Sequence, residues 1–315
     1  MFIMKPILEL NKLKKQFLEY LEIEKNRSRL TVRDYNHYLS RLIDFAKKRS
    51  VSSPAGIDYD LVRQYRLWLN RFQDQHGREL KLVTQNYHVI ALRSFLKYLA
   101  RRDIKTLAAE RIELAKPPAR QVEFLENDDL EKLLHAPNRE KNELNRLRDA
   151  AILELLFSTG LRISELCALK RSDVNLKKEE FAVRGKGDKF RIVFLSPAAR
   201  ESVKKYLDER PDNSPALFVR HNRNLSIDDN APLTPRSVQR LIKKYARLAG
   251  ISHHITPHTL RHTMATDLLA AGADLRSVQE ILGHSSITTT QIYTHFTNKR
   301  LKEIHKTFHG RFRKT

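Results

Sequence analysis

The chain has 315 residues, 41% of them hydrophobic, so it can bury real cores and its length favours two domains over one. Its 59 Lys and Arg outnumber 37 Asp and Glu, for a formal charge of +22, and the excess is spread over both halves of the chain. Such a balance points to a polyanion, most commonly nucleic acid, while one cysteine excludes an internal disulfide and the lack of any long apolar run argues for a cytoplasmic protein that meets no membrane.

The first hundred residues read as helical throughout. Leu10, Leu13, Phe17 and Leu21 recur at helical spacing, and a second helix, capped by Thr31, carries Tyr35, Tyr38, Leu39, Leu42 and Phe45 before Ser52-Ser53-Pro54. A third is expected from about Asp60 to Gln73. A fourth, roughly Val83 to Arg101, repeats Tyr87, Ala91, Phe95 and Leu99 every four residues, with Lys97, Arg101 and Arg102 marking its end. Residues 1–105 thus form a small four-helix unit with basic surfaces. The pattern weakens from Asp103, and Lys116-Pro117-Pro118-Ala119-Arg120 forbids a continuous helix, so residues 106–125 read as a linker.

The second domain, residues 126–315, opens with Asn127 or Asp128 capping a helix. A long apolar helix from Glu143 to Ser158 follows, stopped at Gly160, and a shorter one starts at Arg162. Cys167 lies in the apolar run Ile163 to Leu169, as a small buried hydrophobe would. Alternation at Phe181 and Val183, and again from Phe190 to Leu195, predicts two strands joined by a hairpin at Gly185-Lys186-Gly187-Asp188. Helices then dominate, the last from about Asn298 to His309 with Leu301, Ile304 and Phe308 on one stripe. The expected fold is mainly α with a small β-sheet.

Reactive side chains gather in the second domain. In Thr256-Pro257-His258-Thr259-Leu260-Arg261-His262, Pro257 suits a first helical turn and sets His258 and Arg261 three apart on one face. In the run from Leu282 to Tyr293 a helix stops at Gly283, His284 follows, and Tyr293 sits on a new helix. Arg162 starts a helix among apolar neighbours, and Lys186 stands between two glycines, where flexible backbone lets an ammonium reach forward. Nothing here supplies a hydride carrier, a thiol pair or a carboxylate dyad, whereas His, Arg, His and Tyr together suit attack on a phosphodiester.

Plainer readings stand beside these. An arginine near a helix start is usually a surface ion pair, Tyr293 could fill a core, and Lys189 or Arg191 could reach the same ligand as Lys186. Tyr35, Tyr38 and Tyr87 suit a core role better than Tyr293, having helical apolar partners. His254, His258 and His262 are spaced by four as in a zinc site, but Pro257 breaks the helix that would carry all three and no acid or cysteine completes the set, so no metal is expected.

Thr159-Gly160-Leu161-Arg162-Ile163-Ser164-Glu165-Leu166, together with Leu282-Gly283-His284 nine residues before Tyr293, resembles the catalytic domain of tyrosine site-specific recombinases, most closely the Xer-type group. The likeness spans nearly the whole chain. It implies catalytic roles for Arg162, Lys186, His258, Arg261, His284 and the nucleophile Tyr293, with Glu165 in support, and no cofactor. It implies a helical core-binding domain of SAM-like type that clamps duplex DNA with the catalytic domain, so Lys97, Arg101, Arg102 and Arg191 are expected to face DNA. The partner implied is double-stranded DNA with an inverted-repeat site, bound in a homotetramer or a heterotetramer with a paralogue, and the stripe at Leu301, Ile304 and Phe308 would dock into a neighbouring subunit. The resemblance leaves room for a septal DNA translocase as a further partner.

Physical chemistry gives each group a task. A tyrosine of pKa about 10 is about a thousandth ionised at pH 7, so forming its phenolate there costs roughly 4 kcal/mol, and His258 is the natural acceptor of the proton. Arg162 and Arg261 can each fork onto phosphate oxygens in the pentacoordinate transition state, His284 can donate to a nonbridging oxygen, and Glu165 would fix a neighbour. A phosphotyrosine conserves the bond energy, so religation needs no ATP. The expected outcome is recombination that resolves chromosome or plasmid multimers. Alternatives of the same chemistry are a mobile-element integrase and a type IB topoisomerase, and a binding-only accessory factor is the non-enzymatic one.

Overall fold

Amphipathic periodicity builds the amino-terminal half of the computed structural model, which describes residues 9–118, 123–185, 190–221 and 231–283. The backbone divides into two units, residues 1–119 and 120–315. The first contains α1 (Leu10–Ile23), α2 (Arg29–Lys47), α3 (Tyr59–Arg71) and α4 (Leu82–Ala100). Phe17 lies fully buried at its centre, its ring 5.5 Å from that of Phe95 and 5.3 Å from that of Tyr98.

Two details of this unit depart from the sequence reading. Thr31 does not cap α2; Ser28, still extended, accepts from the Thr31 N–H at 3.3 Å and so satisfies one of the helix's orphan donors. Tyr87 is 50% exposed and stacks on Tyr38 instead of joining the core. A strict four-residue repeat drifts about 40° per step around a helix of 3.6 residues per turn, so Tyr87 falls off the stripe that buries Ala91, Phe95 and Leu99.

The segment between the units is packed at both ends. Ala109 and Ile112 are buried in the first core, the Asn86 side chain donates to the Ala115 carbonyl at 2.8 Å, and Leu125 belongs to the second core.

The second unit comprises α5 (Asn127–His135), α6 (Glu143–Thr159), α7 (Ile163–Ala168), β1 (Glu180–Arg184), β2 (Phe190–Phe194), α8 (Pro197–Asp208), α9 (Pro235–Leu248), α10 (Pro257–Ala271) and α11 (Leu275–Leu282). Neither Asn127 nor Asp128 caps α5: Glu126 holds the cap position without a side-chain bond, and Asp128 and Asp129 sit in the first turn, where the helix dipole favours them. α6 is the axis, packed between α8 and α10, and Ala151, Ile152, Leu153, Leu155 and Leu156 are wholly buried because neighbours cover it all round. β1 and β2 pair antiparallel, with Phe181 opposite Val193 and Val183 opposite Arg191, so those four side chains share the inner face of the hairpin. Phe190, Ile192 and Phe194 alternate outward and are exposed. Among the described residues no helix is long and apolar enough to cross a membrane.

Candidate active site

The site begins where α6 stops. Gly160 takes a left-handed conformation, φ 57°, and a Cβ there would lie 3.2 Å from the Leu282 side chain, so this turn needs glycine for both reasons. Two residues later Arg162 occupies the cap position of α7. Its backbone N–H donates to Glu165 Oε2 at 2.8 Å, and its side chain sends Nη1 to Glu165 Oε1 at 2.9 Å and Nη2 to the Gly283 carbonyl at 3.2 Å. The Arg162 side chain is still 31% exposed, enough to meet a ligand.

Arg261 arrives from α10, one turn past its start, a helix that Thr256 caps by accepting from the Thr259 N–H and Pro257 opens without wasting a donor. Its guanidinium is buried and donates to the carbonyls of Gly160 and Leu282. Arg162 and Arg261 therefore meet at one place, the Leu282–Gly283 turn that ends α11. Helix carboxyl ends carry partial negative charge, which holds both cations there. His258, three residues before Arg261 on the same helix, is exposed.

Glu165 organises the cluster from below. It is buried, and Arg191 of β2 forks onto it with Nη1 to Oε1 at 2.9 Å and Nη2 to Oε2 at 2.7 Å. Burial pushes the carboxyl pKa up, but the hydrogen bonds from Arg191 and from the Arg162 backbone, with the arginine charges, outweigh it and hold the group down at about 2. Because the folded pKa lies below the ordinary value near 4.5, this stabilisation is complete above pH 4.5 and disappears as pH falls through 2. Glu165→Gln should therefore flatten the acid limb of the stability curve between those limits, by an amount on the order of 3 kcal/mol in urea melts. An acid limb unchanged in the variant would show that Glu165 is not held this way.

Arg191, expected to face DNA, has its guanidinium committed to Glu165 and only 10% of its side chain exposed. The pairing was open to detection, since period-two alternation puts residue 191 on the same face as Val193, and an inward arginine requires an acid. In the first unit Lys97, Arg101 and Arg102 are exposed and locally tethered: Lys97 lies 3.3 Å from Glu110, Arg101 donates to the Tyr20 hydroxyl, and Arg102 donates to Gln16 and the Tyr98 hydroxyl. Lys186, His284, Tyr293 and the stripe Leu301, Ile304 and Phe308 lie outside the described residues.

Cys167 is partly buried and its thiol is pushed up to about 11 by that burial, the opposite of an activated nucleophile.

Two family models cover most of the chain: the phage integrase family over residues 123–300, and the phage integrase N-terminal SAM-like domain over residues 15–103. The chain is 37% identical over 302 residues to tyrosine recombinase XerC of Thermodesulfovibrio yellowstonii, covering 93% of this chain and 94% of that protein. It is also 37% identical over 314 residues to tyrosine recombinase XerD of Listeria monocytogenes, covering 96% and 100%. Among solved structures, the XerH site-specific recombinase bound to palindromic difH substrate in a post-cleavage complex superposes with a TM-score of 0.71 at 26% identity, covering 92% of this chain and 83% of that one. The chain belongs to the phage integrase family. Within it, this is a tyrosine recombinase of the Xer type, an enzyme that cuts and rejoins DNA at specific sites.

Proposed function

We propose that the chain resolves chromosome or plasmid multimers, cutting each strand of an inverted-repeat site through Tyr293 and exchanging strands within a tetramer of itself or of itself and a paralogue. The observation that carries the catalytic part is the meeting of Arg162 and Arg261 at the Leu282–Gly283 turn, which puts two guanidinium groups one residue before His284 in the sequence. The palindromic substrate of XerH supports the inverted repeat. Similarity to XerC and XerD relatives at the same 37% supports a role shared with a paralogue as readily as one performed alone.

In this reading the exposed His258 takes the phenolic proton as Tyr293 attacks phosphorus in line, and Arg162, Arg261 and His284 neutralise the nonbridging oxygens of the pentacoordinate state. The P–O bond to the 5′ oxygen breaks, that oxygen takes a proton from Lys186, and a 3′-phosphotyrosine remains. Attack by the 5′ hydroxyl of a partner strand reverses the steps and releases the tyrosine.

The test uses purified full-length protein and duplexes enriched from random sequence by binding, nicked near the selected centre so that the cut end diffuses away. A covalent protein–DNA adduct should accumulate on denaturing gels and be absent with Tyr293→Phe. An adduct formed by Tyr293→Phe would assign the nucleophile elsewhere. Deleting the gene should leave plasmid dimers to accumulate, and a strain without that defect would favour a mobile-element role.

A further inference from the structure

The catalytic assignment leaves Arg191 without a task, although keeping it is costly. Its guanidinium is taken out of water, its Nε is buried with no hydrogen-bond partner among the described residues, and the Glu165 carboxylate takes both of its terminal nitrogens. A carboxylate offers about four acceptor positions. Glu165 spends two on Arg191, one on the Arg162 backbone N–H and one on Arg162 Nη1, so it is filled. The stem of Arg191 also covers Gly283: a Cβ on that glycine would fall 2.7 Å from Arg191 Cδ. Gly283 is the residue whose carbonyl receives Arg162 Nη2. Arg191 therefore touches both anchors of the Arg162 side chain.

We propose that Arg191 is a positioning residue for strand cleavage: by occupying Glu165 it restricts Arg162 to one side-chain bond with that carboxylate and leaves the rest of the Arg162 guanidinium to the substrate phosphate. The proposal rests on the assignment of Arg162 as a phosphate-binding group. Without Arg191, Glu165 turns to Arg162 and closes a two-bond fork, the strongest geometry available to that pair. The closed fork cancels the charge and occupies the donors that the phosphate requires. Arg191 acts by competition for an acid, and its effect is carried entirely by what Glu165 then does.

This makes an unusual demand on a double variant. Arg191→Met keeps the stem over Gly283 and removes the fork, and single-turnover cleavage of the nicked substrate should fall by about 100-fold with site binding retained, the scale of a misplaced reacting group. Adding Glu165→Gln should restore cleavage by about tenfold or more over Arg191→Met alone, because an uncharged amide does not capture Arg162. A scaffolding role predicts the reverse, with the second lesion leaving cleavage unchanged or lower. The double variant buries no unpaired charge, so it also serves if Arg191→Met alone fails to fold. Wild-type cleavage by Arg191→Met, or a double variant no faster than the single, overturns the positioning role. Arg162→Ala separates the two levels: if it cleaves normally, the phosphate-binding assignment falls and takes this proposal with it, whereas an inactive Arg162→Ala beside an unrescued double variant refutes the proposal alone.

Discussion

Lys186→Ala should cleave ordinary DNA about 10² to 10⁴ times more slowly than the parent, and should approach the parental rate when the bridging 5′ oxygen is replaced by sulfur. The 5′ oxygen leaves as an alkoxide about as basic as hydroxide, whose conjugate acid has a pKa near 15.7, and such a group departs slowly at pH 7 unless protonated. A thiolate, with a conjugate acid near 8.5, departs without help. Lys186 has the better claim to that proton, because the sequence between β1 and β2 sets it between Gly185 and Gly187, while His258, which shares its helical turn with Arg261, is the residue proposed to serve the attacking tyrosine. Tyr293→Phe should be inactive on both substrates, since a better leaving group does not replace a missing nucleophile. Rescue of Lys189→Ala or His258→Ala by sulfur, with Lys186→Ala left inactive, would move the general acid to another residue.

Arg261→Ala should cost activity and stability together. The guanidinium donates to two carbonyls, of Gly160 and Leu282, both belonging to buried residues. Removing it strands both acceptors at about 1–3 kcal/mol each, so a loss of roughly 2–6 kcal/mol is expected in urea melts. Cleavage measured well below the melting temperature should still fall by about 10³-fold, because a donor to the developing charge is gone. Arg261→Lys separates the two effects. A single ammonium does not reach both carbonyls as a fork does, so some stability should return while cleavage stays low. Full activity in Arg261→Lys would mean that only the charge matters and that the bridge between the two turns does not.

Much of this architecture was legible along the chain because the signals are local. The glycine that stops α6, the proline that opens α10 and the alternation of β1 and β2 are each set by a few neighbouring residues, and the helices and hairpin appear where those residues demand. Caps were less legible. Ser28 and Thr31 are both good caps by type, and only the backbone conformation at Ser28 decides between them. Core membership was legible to the limit of periodicity, which counted Tyr87 inside by following fours where the helix turns in 3.6 residues. Pairings across sequence distance were the least legible: alternation on β2 turns Arg191 inward and so calls for an acid, without saying which. Nothing near Glu165 announces that its main partner is Arg191, 26 positions on, and nothing near Arg261 announces that it will join the ends of two other helices.

The Arg261 bridge also sets an order of events in time. Its bond to Gly160 spans 101 positions of sequence, a long loop whose closure entropy has to be met before the contact returns any energy. Local structure such as α6 and the β1–β2 hairpin forms first, and the paired arginines come together only when α10 and α11 dock on what is already folded. A partly folded chain therefore lacks the Arg162–Arg261 pair proposed to hold the phosphate, so a protein that cuts DNA acquires that ability as a late act of its own folding. Pulse-labelled hydrogen exchange during refolding should find the amides of α6 protected before the Gly283 amide, and protection in the opposite order would mean that the site nucleates the domain.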